Sequence, residues 1–508
     1  MSTSARNFLR LALVLISAVL IFLGSFLVYD HFTLEEPTYE PVERESVLKD
    51  WAAPWMAATE SEEGVCAELP RKWMMIGWDG ADWDLILPLL ERGELPNFEA
   101  LMSGGAYGDL RSFVPSISPA IWTTVATGVS PAEHGIRRFY NKRPRLERWW
   151  SRLKNFGSLE RHLYSNADRR VRALWNELSD RGKSVLMVGY HNTFPVEEVE
   201  GMMVSNYLVQ DSIGDLMQMR SDGGTDSPFA LSLVYPGDQL FQVLDIQEEV
   251  NGATPRALRR FVKMEDRDYR DFLRKSRELD REGDQRPYFL SRAYAFDTFL
   301  AETALHYLSD VMPDMLFVHF QGLDWAAHQF LYFHQPELFV DMPWSDEVRS
   351  EMEAQIPAYQ NTVEEFYRYM DEVLGRFLAA RDESTAVVLL SDHGFEPDDD
   401  PKIPGFHDEG PPGILVLNGP GIQAGQRLEG ATVYDILPTL MASLELPVAE
   451  DLKGRVLSEA FCSEAWSNRH QSTVASYQSG ERYVPEVAKP PELNQELLDQ
   501  LESLGYLK

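Results

Sequence analysis

The chain has 508 residues, enough for one large α/β domain or two to three smaller ones, and its 44% hydrophobic content supplies core material for a globular fold. Its 80 acidic and 47 basic residues leave a formal net charge of -33. Such a surface repels polyphosphate backbones and argues against a dedicated binder of nucleic-acid polymers.

Leu11 to Tyr29 is an uncharged apolar run of about 19 residues, the length a helix needs to cross a bilayer. Arg6 and Arg10 precede it and Asp30 follows, so the positive-inside tendency places the N-terminus in the cytoplasm and the remainder outside. The alternative is a cleaved signal peptide, whose apolar core is usually about 7 to 15 residues with a small-residue cleavage site after it. The sequence therefore predicts a membrane anchor over 1–31, with the rest of the chain periplasmic or extracellular. An acidic, Pro-containing linker follows over 32–70, within which WAAPWMAA, Trp51 to Ala58, is apolar enough to pack as a strap. Cys66 and Cys462 are the only cysteines, and an extracytoplasmic compartment permits a bond between them without establishing one.

From Arg71 short apolar runs alternate with amphipathic stretches. Helices are expected over Asp84 to Arg92, Asn97 to Ser103, Ser118 to Ala126 and Val171 to Leu178. Ser118 is read as an N-cap, with Pro119 at the first helical position. Strands are expected in the apolar run from Trp73 that ends on Asp79, at Ser184 to Tyr190 and at Met202 to Tyr207. Between about 208 and 285 the rhythm changes to Gly- and Pro-marked loops and a densely charged helical stretch, read as an inserted cap. The alternation then returns with a helix over Phe296 to Ser309, strands at Met315 to His319, Ala386 to Leu390 and Ile414 to Leu417, and helices over Val363 to Ala380 and Tyr434 to Leu444. Uniformly apolar strands alternating with helices imply an α/β fold with a largely parallel sheet covered on both faces. The catalytic domain is assigned to 71–470 and a polar tail to 471–508.

In such sheets the ligand site lies beyond the carboxyl ends of the strands. Asp79, Asp324 and Asp392 each stand just past one. Asp324 and His328, four apart, share one face of a helix, and Asp392 and His393 serve one ion if the backbone turns at Gly394. Mixed carboxylate and imidazole donors suit zinc first and manganese second. A site with two divalent ions needs a nucleophile between them. SISPAIWTTVATG offers Ser116, Ser118, Thr123, Thr124 and Thr127, and Ser118 at a helix start would sit where phosphate is attracted, although capping alone would account for a serine there. His191 and Asn192, at another strand end, are candidate substrate-binding residues. Asp82, Asp297 and Asp408 are read as supports for the ligands. His134 is read as a turn residue, and His319 and His334 as structural.

The set GWDGADWD, SPAIWTTVATGVSPAEHGI, GLDWAAHQF, LLSDHGF and GFHDEG resembles the type I phosphodiesterase and nucleotide pyrophosphatase family of the alkaline phosphatase superfamily, from about Lys72 to Leu457. The resemblance implies an alkaline-phosphatase-like fold and two zinc ions. One would be held by Asp79, Ser118, Asp392 and His393, the other by Asp324, His328 and His407, with Ser118 at the position of the family's nucleophilic Thr. It further implies in-line attack by Ser118 on phosphorus and hydrolysis of a phosphoseryl enzyme by water. Ile121 stands where nucleotide pyrophosphatases carry a phosphate-binding Asn, which weakens the case for nucleotide diesters in particular. No C-x-P-x-R context near Asp79 supports a sulfatase. The expected activity is a membrane-anchored phosphohydrolase of phosphate esters. The alternatives are a phospho-headgroup transferase of the same superfamily and a non-catalytic binding protein.

Overall fold

The computed structural model describes residues 39–43, 47–49, 51, 68–144, 159–206, 232–280, 283–310, 312–478, 483–485 and 503. The expected anchor over 1–31, most of the linker, the first part of the insertion and most of the tail lie outside the described residues. Among the described residues no helix is long and apolar enough to cross a membrane. The chain divides into two units, Met1–Tyr39 and Glu40–Lys508, and the second carries the sheet and its helices. Cys462 is disulfide-bonded; Cys66, the chain's only other cysteine, lies outside the described residues.

A nine-stranded sheet organises this unit. Its strands are β1 (Lys72–Trp78), β2 (Gly105–Leu110), β3 (Val185–Val188), β4 (Gly201–Val204), β5 (Val234–Tyr235), β6 (Met315–Phe320), β7 (Thr385–Leu390), β8 (Gly413–Asn418) and β9 (Gln426–Leu428). They lie in the order β9-β2-β8-β7-β1-β6-β3-β4-β5. The run β7-β1-β6-β3-β4 is parallel throughout. The flanks turn antiparallel at β7 with β8, β8 with β2, and β4 with β5. The main helices are α1 (Trp83–Glu91), α2 (Pro96–Ser103), α3 (Ser118–Thr127), α4 (Leu174–Ser179), α5 (Leu240–Ala257), α6 (Asp266–Lys275), α7 (Arg286–Leu308), α8 (Gly322–His334), α9 (Thr362–Ala380) and α10 (Ile436–Ser443).

The uniformly apolar strands follow from two-sided burial: every residue of β6 and β7 is buried. Along β1, side chains alternate between faces. Met74, Ile76 and Trp78 enter one large apolar core with residues of α1, α2, α7, α8 and α9. On the other face the Trp73 indole N–H donates to Ser443 Oγ on α10 at 3.0 Å. Gly77 lies against Trp122 of α3 on that same face, since a Cβ there would meet the indole Cη2 at 2.6 Å. Helices thus cover both faces, as the sequence pattern predicted.

Three local expectations are corrected. Ser118 is not a cap: α3 begins on it, the N-cap is Ile117, and no side chain caps the helix. The helix expected from Phe296 begins ten residues earlier at Arg286, because Pro287 fits the first turn. Phe289, Leu290 and Ala293 then continue its buried stripe. The strand expected over Met202 to Tyr207 ends at Val204.

Candidate active site

Register brings distant residues to one end of the sheet. Gly77 pairs with His319 on one side and Leu390 on the other, so the ends of β1, β6 and β7 lie level. Asp79, the Gln321 to Asp324 turn and Asp392 therefore emerge together. Gly80, at φ +70, turns the chain immediately after Asp79, and a Cβ there would strike the Phe395 ring at 2.6 Å.

Two groups of side chains adjoin. In the first, Ser118 Oγ lies 3.4 Å from Asp79 Oδ1 and 3.3 Å from His393 Nε2. His393 Nε2 is 3.6 Å from Asp79 Oδ1 and 3.4 Å from Asp392 Oδ2. In the second, Asp324 Oδ1 lies 3.5 Å from His328 Nε2 and 3.7 Å from His407 Nε2. Asp324 and His328 both project from α8, as their spacing predicted. All of these residues are at most 2% exposed. The ligand-type atoms of Asp79, Asp392 and His393 converge, as do those of Asp324, His393 and His407, so His393 joins the two groups.

Each imidazole is turned by its backbone partner. The Nδ1–H of His328 donates to the Gly405 carbonyl at 2.7 Å and that of His407 to the Ser116 carbonyl at 3.0 Å. His393 Nδ1 faces the Gly394 carbonyl at 3.3 Å. These contacts set the tautomer that leaves the Nε2 lone pairs facing inward, the usual arrangement of metal-binding histidines.

The electrostatics suit a bound cation. Burial, followed by the charges of Asp79 and Asp324, pushes the Asp392 carboxyl well above its ordinary range. Its buried Oδ2 has no hydrogen-bond partner among the described residues. Burial would also raise Asp79, but the hydrogen bonds and electrostatic pull of the surrounding imidazoles, His191 and His319 first, outweigh it and hold that carboxyl well below its ordinary range. Burial lowers His393 and, together with its neighbours His393 and His328, lowers His407 further, so the rings stay neutral. Two donors each bound at about 2.0–2.1 Å to one tetrahedral ion lie about 3.3 Å apart, close to the separations within both groups. The donor set fits divalent ions of the zinc type.

The supporting carboxylates act through the backbone. Asp82 caps α1 by accepting from Asp84 N at 2.8 Å, while its second oxygen accepts from Phe395 N at 2.9 Å and fixes the loop after His393. Burial and the Asp84 charge raise it to about 7. Asp297 accepts from Gln321 N and Gly322 N, both at 3.0 Å, and holds the start of α8. The Asp408 carbonyl accepts from Ser116 N at 3.2 Å.

His191 reaches the site, its Nε2 lying 3.4 Å from Asp79 Oδ2. Asn192 does so indirectly: its amide donates to the Pro119 carbonyl and to Thr123 Oγ1, both at 3.0 Å, and so steadies the first turn of α3. Ile121 is fully buried. Two residues of the site carry no sequence signal. The Trp122 indole N–H donates to Asp79 Oδ2 at 3.0 Å, and His319 Nε2 lies 3.1 Å from the same oxygen. A period-two reading of β6 from the Gly77 register could have placed His319 beside Asp79, but a lone histidine on an apolar strand reveals nothing by itself.

A mostly parallel sheet with buried Asp/His groupings at its strand ends can hold divalent ions where a substrate binds. The chain belongs to the type I phosphodiesterase / nucleotide pyrophosphatase family, whose sequence model matches residues 74–409. Over 96 residues it is 34% identical to a 2,3-bisphosphoglycerate-independent phosphoglycerate mutase from Cereibacter sphaeroides, a match that spans 18% of this chain and only 18% of that relative's length. Among solved structures, murine ectonucleotide pyrophosphatase / phosphodiesterase 5 in complex with AMP aligns at 10% identity and TM-score 0.41, covering 74% of this chain and 96% of that one. Phosphonoacetate hydrolase from Sinorhizobium meliloti 1021 aligns at 14% identity and TM-score 0.34, covering 65% of this chain and 58% of the other.

Proposed function

We propose that the chain is a phosphodiesterase that forms a phosphoseryl intermediate on Ser118 at a site for two divalent ions. The observation that carries this reading is the set of inward-facing Nε2 lone pairs of His328, His393 and His407, fixed by backbone carbonyls beside the buried carboxylates of Asp79, Asp324 and Asp392. Asp79, Ser118, Asp392 and His393 would hold one ion, and Asp324, His328 and His407 the other, with zinc preferred over manganese. The ions supply Lewis acidity, lowering the hydroxyl's pKa and offsetting charge on phosphoryl oxygens.

The protein's own part is positional. As the first residue of α3, with no cap to serve, Ser118 points its Oγ between Asp79 and His393. That oxygen attacks phosphorus in line, the bond to the leaving alcohol breaks, and water later splits the Oγ–P bond. The orphan N–H groups at the start of α3 favour the anionic phosphoryl group beside it. His191 and Gln321, 8% and 7% exposed, are buried slightly less completely than the ligands. The Leu11 to Tyr29 run would tether this site on the outer face of the membrane.

The test is a paired assay of the full chain in detergent on bis(p-nitrophenyl) phosphate and p-nitrophenyl phosphate, with chelator and with zinc or manganese restored. Diester turnover abolished by chelator and restored by metal is the expected result. Equal rates after complete metal removal would sink the reading, and transfer of phosphate to an added alcohol with little hydrolysis would replace hydrolysis by transfer.

A further inference from the structure

Helix α8 has two faces with different surroundings. Asp324 and His328 belong to the face that meets the ligand cluster, and Ala327 and Leu331 on the same side pack against Gly405. Gln329 lies on the other side, as 3.6 residues per turn require. There it lines a cavity of about 290 Å³. The other walls come from the start of α7, the helix Asp346–Glu353, and the loop between the short strands Glu396–Pro397 and Gly405–Phe406.

Gln329 is 1% exposed, yet neither its Nε2 nor its Oε1 has a hydrogen-bond partner among the described residues. The buried amides of Asn176 and Asn418 are each served at both ends. A buried amide left unmet at nitrogen and oxygen together costs stability that an apolar side chain of the same size would not. The cavity beside it is where the missing donor and acceptor would come from.

The lining defines what fits. Two carboxylates, Asp284 and Glu351, face two cations, Arg286 and Lys402, so the walls carry no net charge and do not select an ion. Arg286 Nε donates to Asp284 Oδ1 at 2.6 Å, while its Nη1 meets Met352 Sδ, a weak acceptor, at 3.8 Å, which leaves N–H capacity beside the cavity. Val348 and Met352 add apolar wall. A hydroxyl both donates and accepts, so a polyhydroxylated ring satisfies both ends of the amide while its C–H groups rest on those side chains. Small-molecule sites span roughly 300–1,000 Å³, and a cavity at the lower end takes one sugar-sized ring rather than a nucleotide.

We propose that this cavity behind α8 is a binding site for a neutral polyhydroxylated ligand of monosaccharide size, with the Gln329 carboxamide as its central contact. An occupant would touch both α8 and the loop leading to Gly405, whose carbonyl orients His328. The inference does not rest on the phosphodiesterase reading, and its test reads binding alone.

The full chain, in a detergent without a sugar head group, is titrated calorimetrically with glucose, galactose and myo-inositol, and with glucuronate and glucosamine as charged relatives. Saturable binding of at least one neutral probe is expected, at least tenfold tighter than either charged one and at least tenfold weaker in Gln329→Met. The ligand-free variant should melt at or above the wild-type temperature, because an unmet amide has been replaced by an apolar chain of similar length. Absence of saturable binding to every neutral probe, preference for a charged one, or equal affinity in the variant overturns the site. A variant that melts well below wild type would show the amide already satisfied in the empty protein, and overturns it as well. Wild-type crystals soaked in the tightest probe give a variant-free answer: ring density within hydrogen-bonding distance of the Gln329 amide supports the site, and water alone there overturns it.

Discussion

His393 and His407 lie ring on ring, with centroids 3.8 Å apart and planes inclined by only 12°. One ring comes from the loop after β7 and the other from beyond the short strand Gly405–Phe406, so the stack ties the two halves of the site together. Two imidazolium ions would not stack this way in a buried space. Burial lowers the pKa of both rings, which keeps them neutral and able to donate their Nε2 lone pairs.

Metal removal should therefore destabilise as well as inactivate. Asp79, Asp324 and Asp392 would be left sharing one buried space, and the raised Asp392 shows the direction of the cost. Binding that favours the folded state stabilises it by mass action, about 2.7 kcal/mol at a hundredfold excess over Kd. The expected outcome of dialysis against chelator is loss of diester turnover and a melting temperature lower by several degrees, both recovered with zinc. A melting temperature indifferent to metal would argue against ions among these carboxylates.

Ser118→Ala should abolish turnover without disturbing the fold. The hydroxyl caps nothing, and its contacts with Asp79 and His393, at 3.4 and 3.3 Å, are long for hydrogen bonds. Activity is expected to fall by at least about a thousandfold, as when a nucleophile is removed from an assembled site. Thermal stability should stay within roughly 1 kcal/mol of wild type, the range of a hydrogen bond's net contribution. Residual turnover near the wild-type rate would move the nucleophile to a neighbouring hydroxyl such as Thr123.

Gly77→Ala probes the clearance under Asp79. The added methyl would lie 2.6 Å from Trp122 Cη2 and 2.9 Å from His319 Cδ2, so the two rings whose nitrogens meet Asp79 Oδ2 must shift together. Overpacking of this kind costs about 1–3 kcal/mol. Because Trp122 and Ser118 share one face of α3, four residues apart, displacement of the indole should also lower kcat more than KM. Denaturant unfolding and steady-state kinetics on the same preparation test both parts, and a stable, fully active variant would show that the indole contact is dispensable.

Asp79, Asp324 and Asp392 stood out in the sequence because each lies just past a strand's apolar run, and burial on both faces of a parallel sheet makes those stops conspicuous; His407 and Ser118 have no such marker and came from the resemblance. Asp324 and His328 added the helical spacing of four that α8 bears out. The rest was hidden for physical reasons. His319 is buried within β6, one position before the strand ends, where an imidazole reads as core until the register with Gly77 is known. Trp122 looks like any core tryptophan, since its indole N–H leaves no trace in hydrophobic patterning. The edge strand β9 is three residues long and partly exposed, too short for alternation to register. The first half of α7 follows a charged stretch that masks its start, although Pro287 marks the first turn.

His134 offers a test of the scaffold behind the nucleophile. It closes the short helix Pro131–His134, is fully buried, and packs on α3: Nε2 lies 3.0 Å from Thr124 Oγ1, while Nδ1 accepts from Ile136 N at 3.2 Å. A protonated ring would lose that Nδ1 acceptor. Burial, reinforced by the charges of Arg169 and Arg137, lowers its pKa from 6.5 to about 3 despite a hydrogen bond to the Ala120 backbone. The folded ring is thus neutral at pH values where the unfolded one is charged. Between about 6.5 and 3 the unfolded chain binds the extra proton, so stability rises with pH and is lost as pH falls, by roughly 1 kcal/mol per unit. Above about 6.5 both states are neutral and the effect vanishes. Denaturant unfolding at pH values near 7.5 and 5.5 should therefore show a loss in the wild type that is about 1 kcal/mol larger than in His134→Gln, whose amide does not titrate. Equal losses in the two proteins would mean that the ring is charged in the folded state or reaches solvent.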